Sequence, residues 1–273
     1  MVTQRAAALA QLRTPTRDLA ALEVRVQEHV ADHLGYLAFS GGKDSTVVLH
    51  LARHAEVPVV WFDSGLEFPE TRTYIEHLAD LWDLDLRVEH PSRNALDLLV
   101  SSGWWDHRAP GDGAPLSVMR DTLIAHPAEQ AHAEFGSGEL WGLRAEESPG
   151  RRKALLVSLR REVVASCRDC SSPALRQARH GGVISRSDGT VAFSPVWDWS
   201  TTEIWAYLNR NDIPVNPVYE RFRRLGAPED MQRVSLLVDG SALAIGRAVW
   251  LRRGWPQLWQ QLVEVLPRLR EFA

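Results

Sequence analysis

Leu34-Gly35-Tyr36-Leu37-Ala38-Phe39-Ser40-Gly41-Gly42-Lys43-Asp44-Ser45-Thr46-Val47-Val48-Leu49-His50 is the stretch that decides the fold. The apolar run from Leu34 to Phe39 predicts a buried strand, Ser40 to Asp44 breaks it, and Ser45 to His54 resumes with helical character. Two adjacent glycines between a buried strand and a helix let backbone N–H groups approach the oxygens of an anion, while the positive helix end favours its charge. Ser40 and Ser45 add hydroxyl donors and Lys43 a point charge. A tight turn with an ordinary N-cap is the alternative, but a generic turn does not require this density of Gly, Ser and Lys. The spacing is not Walker A, which needs four residues between its first glycine and Gly-Lys.

The unit repeats downstream. Val57 to Phe62 predicts a strand, Asp63 to Phe68 a loop, Pro69 to Trp82 a helix with proline near its first turn, and Leu84 to Glu89 a third strand. Strands alternating with such helices predict an α/β fold, a doubly wound, mostly parallel sheet flanked by helices. A helix is expected over Leu116 to Phe135, a fourth strand over Glu139 to Leu143 with its loop at Arg144 to Arg152, and a helix over 154–166. Residues 171–190 show no strong period and predict a flap, whereas Ser200-Thr201-Thr202-Glu203 is a capping-box signature opening a helix through Leu208. The expected organisation is an N-terminal helical segment over 1–33, a nucleotide-binding domain over 34–216 and a helical C-terminal extension over 217–273.

The 273 residues fit one large α/β domain with an appendage, since single cores stop growing at about 250–300 residues. Hydrophobic residues at 45% and charged residues at 24% place the chain with ordinary globular proteins. A net charge of −4 advertises no overall field for nucleic acid, so any anion site must be local. No run of about 18 apolar residues would span a bilayer, and the N-terminus, with Arg5, Arg13 and Arg17, lacks a long apolar core. A cytoplasmic location is expected, and the two cysteines, Cys167 and Cys170, form no disulfide framework.

Residues 40–45, 63–65 and 142–147 each follow an expected strand, where doubly wound sheets bind ligands, so they can converge on one cleft. Arg144 is a candidate fork for phosphate or sulfate, with an ion pair to Glu146 or Glu147 as its plainer role. Asp63 can hold a ribose or a magnesium ion, or simply form a turn through an Asx hydrogen bond. Asp44 would repel an anionic ligand unless a cation intervenes, so it either caps the helix or recruits Mg²⁺. Arg151, Arg152 and Lys153 are a second basic group or a solvated helix face. Cys167-Arg168-Asp169-Cys170 has the spacing of half a zinc or iron–sulfur site, but no second pair exists within the chain. His180, His132 or a second subunit could complete a metal site, or the pair cycles between dithiol and disulfide. Of the 11 tryptophans, most are expected in the core, with Trp104 and Trp105 the better candidates for stacking on a ligand or partner and packing as their plainer role.

Ser40 to Ser45 followed by Val47-Val48-Leu49 resembles the PP-loop of the phosphoadenylyl-sulfate (PAPS) reductase family, within the adenine nucleotide alpha-hydrolase-like superfamily. The resemblance continues in order through Asp63-Ser64-Gly65 with Phe68-Pro69-Glu70-Thr71, Gly142 to Ser148, Pro195-Val196-Trp197-Asp198-Trp199, Glu203 to Leu208, and Ile213 to Tyr219. It implies an adenine nucleotide, ATP or adenylyl sulfate/PAPS, held by Ser40, Gly41, Gly42, Asp44, Ser45, Asp63 and Gly65, with Lys43 and Arg144 as catalytic residues. Reductases of the family carry a nucleophilic cysteine in a Glu-Cys-Gly tail. Here Tyr219 is followed by Glu220-Arg221-Phe222-Arg223-Arg224-Leu225-Gly226-Ala227-Pro228 and no cysteine, leaving only Cys167 or Cys170 for that role. The resemblance therefore implies Mg²⁺-assisted cleavage of ATP at the α-phosphate with pyrophosphate release. A sulfonucleotide reductase using Cys167 or Cys170 is the second reading. A non-catalytic subunit of a sulfur-handling or nucleic-acid-modifying complex is the third. The acceptor, a partner protein and homo-oligomerisation are left open by the residues.

Overall fold

In the computed structural model, which describes residues 17–102, 121–167, 170–234 and 246–273, the opening stretch forms strand β1 (Tyr36–Ala38), a loop and helix α2 (Lys43–Leu51). Helix α1 (Leu19–His33) precedes it. Leu34 and Gly35 take φ of 53° and 111°, values no strand can hold, so β1 begins later than the apolar run.

The sheet has six strands, completed by β2 (Val59–Phe62), β3 (Leu86–Glu89), β4 (Gly138–Leu140), β5 (Val183–Ser185) and β6 (Val191–Phe193), in the order β3-β2-β1-β4-β6-β5. β1 runs parallel to β2 and β4, and β4 parallel to β6; β5 alone is antiparallel. The mostly parallel, doubly wound sheet matches the expectation. Strands succeed one another outward on one side of β1, and the next strand in the chain, β4, lies on its other side. That reversal opens a crevice beyond the C-terminal ends of β1 and β4, the place where such sheets hold ligands.

The described residues of 1–61, 83–87 and 131–215 form one compact unit, and those of 62–82, 88–130 and 216–273 a second. In the first, Tyr36, Leu37, Val47, Val48, Leu140, Phe193 and Ile204 are buried on the sheet, with Trp197 and Trp199 beside them. The first unit holds α1, α2, α6 (Pro149–Ser166), α7 (Pro173–His180) and α8 (Thr201–Arg210). The second has its own core, in which Leu66, Phe68, Leu98, Leu99, Phe222, Trp255 and Trp259 pack together. Phe68 and Trp255 have ring centroids 4.1 Å apart. Its helices are α3 (Pro69–Trp82), α4 (Ala95–Ser102), α9 (Pro217–Leu225), α10 (Arg247–Gly254) and α11 (Pro256–Val265).

Two expectations are corrected. Residues 171–190 are ordered into α7 and β5: Ser172 caps α7 by accepting from Leu175 N–H at 3.2 Å, and Val183 to Ser185 pair with β6. The low periodicity arises because both elements are short and mostly exposed. The helix expected from Leu116 resolves, among the described residues, into a π-helical turn at Asp121–Ala125 and an α-helix, α5 (His126–Phe135). Pro127 cannot donate a helical hydrogen bond, which fits a break just ahead of it. Leu116, Trp104, Trp105 and Gly111 to Gly113 lie outside the described residues, as do Arg5 and Arg13.

Candidate functional site

The loop after β1 is built by residues that lack or retract their side chains. Gly41 adopts φ 69°, a conformation side-chain-bearing residues rarely hold, and Gly42 is the N-cap of α2 in an extended conformation with no side-chain cap. The opening turn of a helix directs N–H groups away from its own carbonyls, so a glycine cap leaves those donors facing the crevice. The hydroxyls of Ser45 and Thr46 donate to the Gly42 carbonyl at 3.0 and 2.9 Å and fix the loop's shape. Since the Ser45 proton is used there, the 3.1 Å contact between Ser40 Oγ and Ser45 Oγ has Ser40 as donor.

Behind this loop lies a buried charge chain. Lys43 Nζ is 2.9 Å from Asp44 Oδ2, and Arg144 Nε donates to Asp44 Oδ1 at 2.7 Å. Arg144 Nη1 also reaches Glu146 Oε2 at 2.7 Å and the Trp199 carbonyl at 3.0 Å, while Nη2 donates to Thr201 Oγ1 at 3.1 Å. Arg144 is only 2% exposed and Lys43 7%. Burial opposes charge on Arg144, but Asp44 and Glu146 outweigh it and hold the guanidinium above its ordinary range. Burial likewise pushes Glu146 up, yet its bonds from Arg144 and Thr201 bring it below the usual carboxylate range. Two cations share Asp44, and with Glu146 the four charges balance, so the chain fixes two cations beside the loop without net charge.

This corrects the reading of Asp44. It does not cap α2; it joins Lys43 to Arg144. Arg144 is paired with Glu146, as its plainer role supposed, but deep in the protein rather than at the surface. Four of its five N–H groups are engaged by protein, so it is a fixed charge rather than an open fork.

Gly142, just past β4, was quoted in the sequence as part of a motif without a role. A Cβ there would lie 2.6 Å from the Ser45 nitrogen and 2.8 Å from the Asp44 carbonyl carbon. Only glycine lets the end of β4 press against the first turn of α2. Thr201 and the Trp199 carbonyl were also missed, since contacts across the chain leave no local signal.

In the second unit, Asp63 is 3% exposed, accepts from Gly65 N–H at 2.9 Å in an Asx turn, the plainer of the roles open to it, and pairs with Arg72. Gly65 supplies the turn's φ of 82°. Ser64 Oγ donates to Glu67 at 3.0 Å. Burial, against the Ser64 hydrogen bond and with the neighbouring Asp63 charge, raises the Glu67 carboxyl to about 7.

The basic group after the Arg144 loop divides: Arg151 pairs with Glu147 at 2.5 Å, whereas Arg152 and Lys153 are exposed. Cys167 and Cys170 are joined as a disulfide, with His180 Nε2 3.5 Å from Cys170 Sγ. No helix among the described residues is long and apolar enough to cross a membrane.

The model of the family described as the phosphoadenosine phosphosulfate reductase domain matches residues 35–232. A phosphoadenosine 5'-phosphosulfate reductase of Xylella fastidiosa (strain M12) is 26% identical over 198 residues, 71% of this chain and 70% of that protein. Sulfate adenylyltransferase subunit 2 of Rhizobium meliloti (strain 1021) is 29% identical over 191 residues, covering 67% of this chain and 56% of the relative. The chain thus spans little more than half the length of that subunit. Among solved structures, a PAPS reductase from Candida auris in a phosphate complex aligns with TM-score 0.48 and 17% identity, over 78% of this chain and 93% of that one.

Proposed function

Because the chain belongs to the phosphoadenosine phosphosulfate reductase domain family, we propose that it binds an adenine nucleotide at Ser40 to Ser45 and cleaves ATP at the α-phosphate. The observation that carries this reading is the buried Lys43–Asp44–Arg144 chain beneath the Gly41-Gly42 loop. In the reaction, an acceptor oxygen forms a bond to the α-phosphorus while the bond to the bridging oxygen breaks and pyrophosphate leaves. Such chemistry requires in-line positioning and neutralisation of developing charge, and no protein nucleophile. The Gly41, Gly42 and α2 amides cradle the departing pyrophosphate, and the hydroxyl protons of Ser40 and Ser45 turn to it from the Ser45 hydroxyl and the Gly42 carbonyl that they otherwise bond. Lys43 stabilises its charge directly, and Arg144 does so from behind while keeping Asp44 and hence Lys43 in place.

Magnesium does not fit as a resident ion on Asp44, because its two carboxylate oxygens accept from Lys43 and Arg144. Both Asp63 oxygens are likewise engaged, by Gly65 and Arg72. ATP is therefore taken as its magnesium complex, the metal belonging to the substrate. The likeness to a protein named a sulfate adenylyltransferase subunit supports adenylyl transfer, and with it an assembly in which a further subunit supplies the acceptor.

The likeness to reductases keeps a second reading in view, in which Cys167 or Cys170 attacks the sulfur of adenylyl sulfate or PAPS. The experiment incubates the protein with magnesium and α-labelled ATP, and separately with each labelled sulfonucleotide plus dithiol, and resolves all products. Pyrophosphate with AMP or an adenylylated acceptor, lost in Lys43→Ala, is the expected result. Sulfite release abolished by replacing both cysteines with serine establishes the second reading instead.

A further inference from the structure

The region joining α6 to α7 carries a site that the nucleotide reading does not use. Cys167 closes the C-terminal end of α6, its N–H donating to the Val163 carbonyl at 3.1 Å. Cys170 stands two residues ahead of Ser172, the N-cap of α7. The two sulfurs therefore sit in opposite helix-end fields: a thiolate is disfavoured at the negative end of α6 and favoured at the positive start of α7.

His180, the last residue of α7, places Nε2 3.5 Å from Cys170 Sγ. Its tautomer follows from the neighbouring bonds. The Ser166 hydroxyl donates its single proton to the Glu162 carbonyl at 2.7 Å, so at 3.4 Å from His180 Nδ1 it accepts the Nδ1 proton. Nε2 then presents its lone pair to Cys170. The charged groups around the imidazole are Arg25 of α1, Glu162 of α6 and Arg179 of α7; burial, with Arg25 and Arg179, holds His180 below its usual range, so it is a neutral proton acceptor near pH 7. Arg176 adds a further cation, its Nε donating to the Cys170 carbonyl at 3.1 Å.

We propose that Cys167 and Cys170 form a thiol–disulfide exchange site in which Cys170 is the attacking thiolate, His180 accepts its proton, and the partner is an external disulfide or dithiol. Starting from the reduced pair, His180 takes the Cys170 proton and the thiolate attacks an external disulfide, releasing one thiol and leaving a mixed disulfide on Cys170. Deprotonated Cys167 then attacks Cys170 Sγ and expels the second thiol. In sum the dithiol and RSSR give the Cys167–Cys170 disulfide and two RSH, with two electrons passing to the external disulfide. The disulfide in the structure is the oxidised end of this couple.

The full-length chain is equilibrated in glutathione buffers of varied ratio and its free thiols are counted after maleimide labelling, with glutathione disulfide as the exchange probe. The pair is expected to titrate as one two-electron couple. Because the larger thiolate fraction at the start of α7 is partly offset by the lower nucleophilicity of a more acidic thiol, Cys167→Ser, which retains Cys170, should form the mixed disulfide about threefold faster at pH 7 than Cys170→Ser. His180→Ala should remove most of that difference and added imidazole should restore it, a rescue that a purely structural role would not give. Equal rates in the two single-cysteine variants would overturn the proposal. So would a reduced pair that takes up one Zn²⁺ with His180 and is thereby shielded from glutathione disulfide, which would make the cluster a metal site.

Discussion

Arg144 shows how much one side chain commits the surrounding structure. Truncating it leaves Glu146 without its cation and Asp44 with Lys43 alone, and breaking a buried pair from one side costs about 3–5 kcal/mol. Arg144→Ala is therefore expected to lower the melting temperature sharply, while Lys43→Ala, which leaves Asp44 paired with Arg144, should melt close to the parent. Thermal denaturation of the two variants side by side checks this. Glu67 gives a pH signature of opposite sign to an ordinary ion pair. With its carboxyl near 7 in the folded state against 4.5 for the free group, the folded protein binds more protons between those values. The associated stability is complete below about pH 4.5 and lost as the pH rises through about 7. Glu67→Gln should thus be more stable than the parent at pH 8 and gain nothing at pH 4.5, as read from denaturant midpoints at both values.

At the scale of elements, the contact between the end of β4 and the start of α2 is the tightest constraint on the loop. Gly142→Ala places a methyl 2.6 Å from the Ser45 nitrogen, and relief of such overpacking typically costs about 1–3 kcal/mol. The same shift should weaken nucleotide binding at the first turn of α2, a loss that calorimetric titration would show beside the fall in melting temperature. Helix α8 opens with the capping box legible in the sequence: Ser200 accepts from Glu203 N–H at 3.2 Å, and Glu203 accepts from Ser200 N–H at 2.8 Å. Ser200→Ala should cost about 1 kcal/mol in chemical denaturation. Capping boxes, the Gly-Gly loop and the proline at the start of α3 are local signals, and the sequence displayed them. Helix α7 and strand β5 were illegible because each is short and leans on a neighbour for its stability rather than on its own periodicity.

For the whole molecule, the mostly parallel, doubly wound sheet follows from the alternation of apolar runs and helices, and the ordered motifs give the family; the strand order and the switch between β1 and β4 come from the fold. The charge chain did not follow from that pattern. Asp44 and Arg144 are 100 positions apart, and only the parallel pairing of β1 with β4 brings them to 2.7 Å. From sequence alone a carboxylate in an anion loop looked like a cap or a magnesium ligand; in the fold it is the link between two cations. The central claim is that this loop, with the cations of Lys43 and Arg144 fixed beside it, holds the phosphates of an adenine nucleotide. Its most direct test is calorimetric titration of magnesium ATP into the parent protein and into Lys43→Ala. Saturable binding that weakens about tenfold or more on loss of the Lys43 charge, a difference of about 1.4 kcal/mol, is the predicted result. Absence of binding to the parent, or equal affinity in the two proteins, would contradict it.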